Sequence, residues 1–182
     1  SGGDDEPTAA DPPAGSDGTA PTDTTAGAGA GAASGEFTLL AYNVAGLPEE
    51  LSGSSPLVNM PQIGPLLNDF DVVLVQESWR TPDPNPSAPI RAYHEELESR
   101  VDHEHRSEPA EQPFGSIQER PEALLADGLN RFSRVPFGEV TREAWEGCFG
   151  GADTSDGGAG DCLATKGFSV ATHTFADGVE VD

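Results

Sequence analysis

The sequence predicts an α/β fold from Glu36 onward, and three observations carry that prediction. Phe37–Tyr42 and Asp71–Gln76 are short runs of apolar and β-branched residues, apolar on both faces, the pattern of strands buried on both sides. Between them Ile63, Leu66, Leu67 and Phe70 fall at i, i+3, i+4 and i+7, one face of a helix. Strand, helix, strand is therefore the local organisation. The third observation is a break in composition: residues 1–35 hold no Lys, Arg or large apolar side chain. At 182 residues the chain has room for one domain with a tail.

Residues 1–35 consist mostly of Gly, Ala, Ser, Thr, Pro and Asp. They supply too little apolar area to offset the entropy of ordering a backbone, so a disordered acidic tether is expected. Tethers of this kind follow the lipid-bearing cysteine of bacterial surface lipoproteins. Export to the cell envelope, with a membrane tether through a cysteine ahead of Ser1, is the expectation; a plain interdomain linker is the alternative.

The first strand stops at Asn43, and Gly46 and Pro48 then break the run; the second stops at Glu77. Both strands emerge from the core into an oxygen-bearing residue, where a sheet can hold a polar ligand site at a rigid edge. Ile90, Tyr93, Leu97 and Val101 give a second amphipathic helix behind a Pro-rich loop at 81–89, while 102–126 show no clear pattern. Gly128–Ser133 reads as a strand with a turn before Pro136. Phe168–Phe175 and Val179–Val181 read as two strands around an Asp177-Gly178 turn. The last run stops at Asp182 in mid-strand by its pattern.

Cys148 and Cys162 are 14 positions apart across a Gly-rich acidic loop, and a disulfide is expected, with two free thiols as the alternative. Two cysteines do not make a zinc site. Nor is the loop a calcium hand: with Asp153 at position 1, position 12 is Ala164 rather than Glu. Across the chain 32 acids face 9 bases, a formal charge of −23; residues 36–182 keep 26 of those acids and all 9 bases. Such a surface repels polyphosphate, so no stable nucleic-acid partner is expected, and a monomer is. No run approaches the roughly 18 apolar residues of a membrane span.

Among other candidates, His103 and His105 would share a face on a strand, but nothing nearby completes a ligand set. His94 is expected to be exposed beside Tyr93, and His173 to be a satisfied strand histidine. Trp79 either flanks a site mouth or caps the core. Trp145 is expected to pack under the cysteine loop.

The string LLAYNVAGLP, a helix, then DVVLVQE resembles the opening of the endonuclease/exonuclease/phosphatase superfamily, which includes pancreatic-type deoxyribonucleases and bacterial sphingomyelinases C. Asn43 and Glu77, 34 positions apart, stand where that pattern has Asn and Gln-Glu. ADGLNRFSRVPF at 126–137 is similar to a later strand of the family, with Asn130 and Arg131 more polar than usual. GDCLATKGF at 160–168 is similar to the sphingomyelinase branch.

The resemblance implies a four-layer α/β sandwich, truncated at the C-terminus, with Mg²⁺ (or Mn²⁺ or Co²⁺) at the strand edge. Glu77 would bind the metal and Asn43 the metal or the phosphate. Asp127 would orient a catalytic histidine lying outside this chain, with a solvated turn aspartate as the alternative. The family's Asp-x-Asn pair and its catalytic histidines lie C-terminal to the matched region. By resemblance, then, residues 36–182 are an N-terminal part, inactive and loosely packed by itself. The function implied is hydrolysis of a phospholipid headgroup bond. The alternatives are an extracellular endonuclease of the same superfamily, or a non-catalytic acidic surface domain with Asn43 and Glu77 as strand-end caps.

Overall fold

The computed structural model describes residues 35–47, 53–80, 93–115, 123–148 and 161–182. All but the last residue of the expected tether, the Pro-rich loop at 81–89 and most of the cysteine loop lie outside them. Four strands form the main sheet: β1 (Leu39–Asn43), β2 (Val72–Gln76), β3 (His105–Ser107) and β4 (Asn130–Ser133), in the order β1-β2-β4-β3. β1 and β2 run parallel, with Leu39 opposite Val72 and Asn43 opposite Gln76. β4 lies antiparallel to both β2 and β3. The start of the β1–β2 pair is pinned by Asp71, whose carboxylate accepts from the Thr38 backbone N–H at 2.7 Å and from its hydroxyl at 2.8 Å. Those bonds, the backbone one foremost, hold the Asp71 carboxyl below its usual pKa.

One face of this sheet is covered by helices α1 (Pro56–Leu67) and α2 (Tyr93–Glu98). Val73, Val75 and Phe132 from the sheet meet Met60 and Leu67 of α1, Tyr93 and Leu97 of α2, and Val101 beyond it. Each such side chain, fully buried, contributes roughly 1.5–3 kcal/mol. Proline opens α1 at Pro56, where no N–H is needed. The buried face of α1 is Pro56, Met60, Gly64 and Leu67, with Ile63 and, past the helix, Phe70 partly buried against the same core; of the expected stripe only Leu66, 64% exposed, turns outward. Gly64 widens the packed face beyond that stripe. A Cβ there would stand 2.6 Å from Arg100 Cβ and 2.8 Å from the Leu97 carbonyl, so the segment around α2 packs directly onto the α1 backbone.

Of the two strands expected to be buried on both sides, β2 is and β1 is not. Leu39 is 51% and Tyr42 41% exposed, because among the described residues β1 pairs only with β2 and only Leu40 of its side chains packs on the helical core. Two smaller sheets follow: β5 (Thr141–Ala144) with β6 (Gly167–Val170), and β7 (His173–Ala176) with β8 (Val179–Val181). The run expected as one strand, Phe168–Phe175, is thus divided at Ala171-Thr172 between two pairings. The turn after β7 holds Gly178 at φ +76°, as an Asp-Gly hairpin turn requires. On the far face of the main sheet, buried Arg131 donates to Ser169 Oγ at 3.0 Å and to the Ala171 carbonyl at 3.4 Å, joining β4 to the segment carrying β6. Cys148 and Cys162 form the expected disulfide, with Cα atoms 5.2 Å apart.

Candidate functional site

Parallel pairing brings the C-terminal ends of β1 and β2 to one edge, and this places Asn43 and Glu77 close together in the fold. Asn43 Oδ1 accepts from the Ala45 N–H at 2.8 Å, a local turn that leads the chain away from the sheet with Ala45 at φ +50°. The ladder extends past the strands: Val44 N–H donates to the Gln76 carbonyl at 3.0 Å, and Gly46 N–H to the Glu77 carbonyl at 2.9 Å. A Cβ on Gly46 would fall 2.3 Å from that carbonyl oxygen, so only glycine permits the approach. Glu77 itself is half-buried and sits at φ +58°, in the left-handed region that a residue with a Cβ rarely occupies.

The other wall of this edge is the segment leading into β4. Ser78 N–H donates to the Gly128 carbonyl at 3.0 Å, and the Trp79 indole N–H to the Ala126 carbonyl at 3.0 Å. Trp79 is buried with Leu125 and Ala164, so it packs the wall rather than flanking an open mouth. Gly128 stands at φ +63°, and a Cβ on it would strike the indole at 2.5 Å. Asp127 is buried here. One of its oxygens pairs with Arg142 Nη1, and the other accepts from the Leu129 N–H at 3.1 Å. Arg142 also donates to the carbonyls of Leu129 at 3.0 Å and Glu108 at 2.9 Å. The solvated-turn alternative for Asp127 is therefore corrected: the guanidinium offsets its burial.

Behind Ser78 lies His94, expected at the surface and found 1% exposed. Its Nδ1 is 3.0 Å from Ser78 Oγ and 3.1 Å from the Asn130 side-chain amide. Its Nε2 faces Glu98 Oε2 and Glu108 Oε2, each at 3.6 Å. Burial pulls the His94 pKa down to about 4, against the opposing pull of Glu98. His103 is buried too, with Nε2 2.8 Å from the Phe70 carbonyl, and burial lowers its pKa as well. It precedes β3 and serves the core, so His103 and His105 make no metal pair. His173 is buried against the Phe137 ring, 5.3 Å between centroids. Trp145, expected under the cysteine loop, is 57% exposed.

No protein-family model matches the chain. Curated sphingomyelinases of Mycobacterium tuberculosis and Mycobacterium bovis are each 31% identical to it over 173 residues, which cover 91% of this chain and 28% of theirs. The likeness is to sphingomyelinases. The chain spans less than a third of the length of the curated relatives it matches. Among solved structures, a hairpin-deletion mutant of beta toxin from Staphylococcus aureus aligns with a TM-score of 0.57 at 17% identity, over 80% of this chain and 49% of that one. A beta toxin variant from the same organism, solved with bound magnesium ions, aligns with a TM-score of 0.56 at 16% identity, over 80% of this chain and 47% of that one. The fold is accordingly the α/β sandwich of the deoxyribonuclease/sphingomyelinase type, as the motifs implied.

Within this sphingomyelinase-type fold, Asn43 and Glu77 lie at one strand edge, and Asp127 lies in the wall beside it. The cluster of His94, Glu98 and Glu108 escaped the sequence reading. Only the i, i+4 spacing of His94 and Glu98 on α2 hinted at it, and Glu108 arrives from a stretch with no legible pattern.

Proposed function

We propose that the protein is a Mg²⁺-dependent phosphodiesterase that hydrolyses a phospholipid headgroup bond in the manner of a sphingomyelinase C, with Glu77 and Asn43 holding the metal. The observation that carries this reading is Glu77 at the end of the central strand, in a left-handed conformation, one residue past the register partner of Asn43. Non-glycine residues held there concentrate at functional sites. The donor set fits a hard cation: a carboxylate, and an amide oxygen that spends one lone pair on Ala45 N–H and keeps the other. A bound divalent ion supplies charge neutralisation and polarisation at a phosphoryl oxygen. Mn²⁺ or Co²⁺ would satisfy the same oxygens. The relatives named sphingomyelinase and the magnesium-bound beta toxin support the choice of substrate and metal.

In this reading Asn43 and Glu77 orient the ion, while Gly46 and the Gly128–Ser78 bond hold their backbones still. Asp127 positions the wall through Arg142; orienting a histidine would require its carboxylate to be shared with that guanidinium. The Cys148–Cys162 bridge supports export to an oxidising compartment. An acidic tether at 1–35 and attachment to the cell envelope remain part of the proposal. The formal charge of −23 favours a lipid over a nucleic-acid substrate.

The test is release of phosphocholine from sphingomyelin vesicles by the protein at its natural length, beside cleavage of plasmid DNA, each with Mg²⁺ and with EDTA. The expected result is lipid turnover that EDTA abolishes, with DNA intact. Turnover that persists in EDTA, or cleavage of DNA alone, would overturn the reading.

A further inference from the structure

We propose that His94, Glu98 and Glu108 form a second cation site, separate from the Glu77 edge, that takes a transition ion of the zinc class. The three residues bring one ligand atom each within 4.8 Å of one another. Both carboxylate oxygens stand 3.6 Å from His94 Nε2. That is too long for a hydrogen bond. It does match a tetrahedral ion, whose N and O ligands at about 2.0–2.2 Å lie roughly 3.3–3.6 Å from one another. One imidazole and two carboxylates suit zinc or a similar ion better than Mg²⁺, which takes oxygen. A water would complete the set.

The second observation is independent of the carboxylates. His94 is 1% exposed, yet its Nε2 has no hydrogen-bond partner, and the same holds for Asn130 Oδ1. A metal satisfies Nε2 once Nδ1 carries the proton: with the Asn130 amide turned end for end, its oxygen accepts from Nδ1–H, and Nε2 keeps its lone pair. Asn130 and Ser78 then set the tautomer and the ring plane, as partners behind a ligating histidine do. His94 and Glu98 are held one helical turn apart on α2.

Two guanidiniums bear on the site. Arg106 Nη1 takes Glu98 Oε1 at 3.2 Å, which leaves Oε2 facing His94. Arg80 Nη2 takes Glu108 Oε2 at 2.6 Å, and Arg80 Nη1 also reaches Glu111 at 3.6 Å. Metal binding would transfer more of Arg80 to Glu111.

Calorimetric titration of Zn²⁺ into the full chain carrying Glu77→Gln tests the site with the strand edge removed, so the result does not depend on the phosphodiesterase reading. One ion should bind per chain. Glu98→Gln and Glu108→Gln, added singly, should each weaken binding by about tenfold or more, with far-UV circular dichroism unchanged. Mg²⁺ in the same range should give no saturable heat. Absence of a stoichiometric site, or affinity that either glutamine variant leaves within about twofold, would overturn the proposal. So would Mg²⁺ binding as tightly as Zn²⁺.

Discussion

Glu77 shows how a single residue can be set against its own preference. At φ +58° an L-residue carries a cost of about 1–2 kcal/mol, and the bonds from Gly46 to its carbonyl and from Ser78 to Gly128 hold it there. Glycine bears no such cost. Glu77→Gly should therefore be more stable to chemical denaturation than Glu77→Ala by about 1 kcal/mol, the reverse of the order in a regular element. Equal stabilities, or the opposite order, would show the backbone at Glu77 to be unstrained. Asn43 and Glu77 were legible in sequence because each ends an apolar run, so the place where the strand leaves the core is written in composition. His94 was not. It stands off the stripe of Tyr93, Leu97 and Val101, and what buries it is Asn130 and Ser78, from 36 and 16 positions away.

Among the elements, the first helix and the two parallel strands follow from periodicity and from runs without alternation, but the full packed face of α1 does not. Ile63, Leu67 and Phe70 of the apolar stripe pack on the core, yet Leu66 turns outward and the face also runs through Met60 and Gly64, because the segment around α2 meets the α1 backbone where no side chain stands. Hydrophobicity alone cannot signal a contact made by an absence. Met60→Ala should cost about 2–5 kcal/mol in urea unfolding, and Leu66→Ala no more than about 0.5 kcal/mol. Comparable losses at the two positions would put Leu66 in the packed face. The division of 168–175 into β6 and β7 was hidden for a similar reason: partners on two different strands, not local composition, decide where it breaks.

For the whole molecule, burial alone is a thin source of stability in a chain with 32 acids, and the Cys148–Cys162 bridge adds a constraint that composition does not. Closing a loop of that length should stabilise by about 3 kcal/mol on the loop-entropy model. The Cys148→Ser/Cys162→Ser double variant should accordingly melt about 6–12 °C below the oxidised protein in a thermal scan. An unchanged midpoint would make the bridge incidental to the fold. The proposed activity depends on Glu77 carrying the metal of a phosphodiesterase. Its most direct test is turnover of sphingomyelin vesicles against Mg²⁺ concentration, for the protein at its natural length and for Glu77→Gln, which keeps the shape and removes the charge. With Glu77 as a metal ligand, turnover should fall by about 10²–10⁴-fold at saturating Mg²⁺ with the fold intact by circular dichroism; a variant with undiminished turnover and the same Mg²⁺ dependence would rule out that role for Glu77.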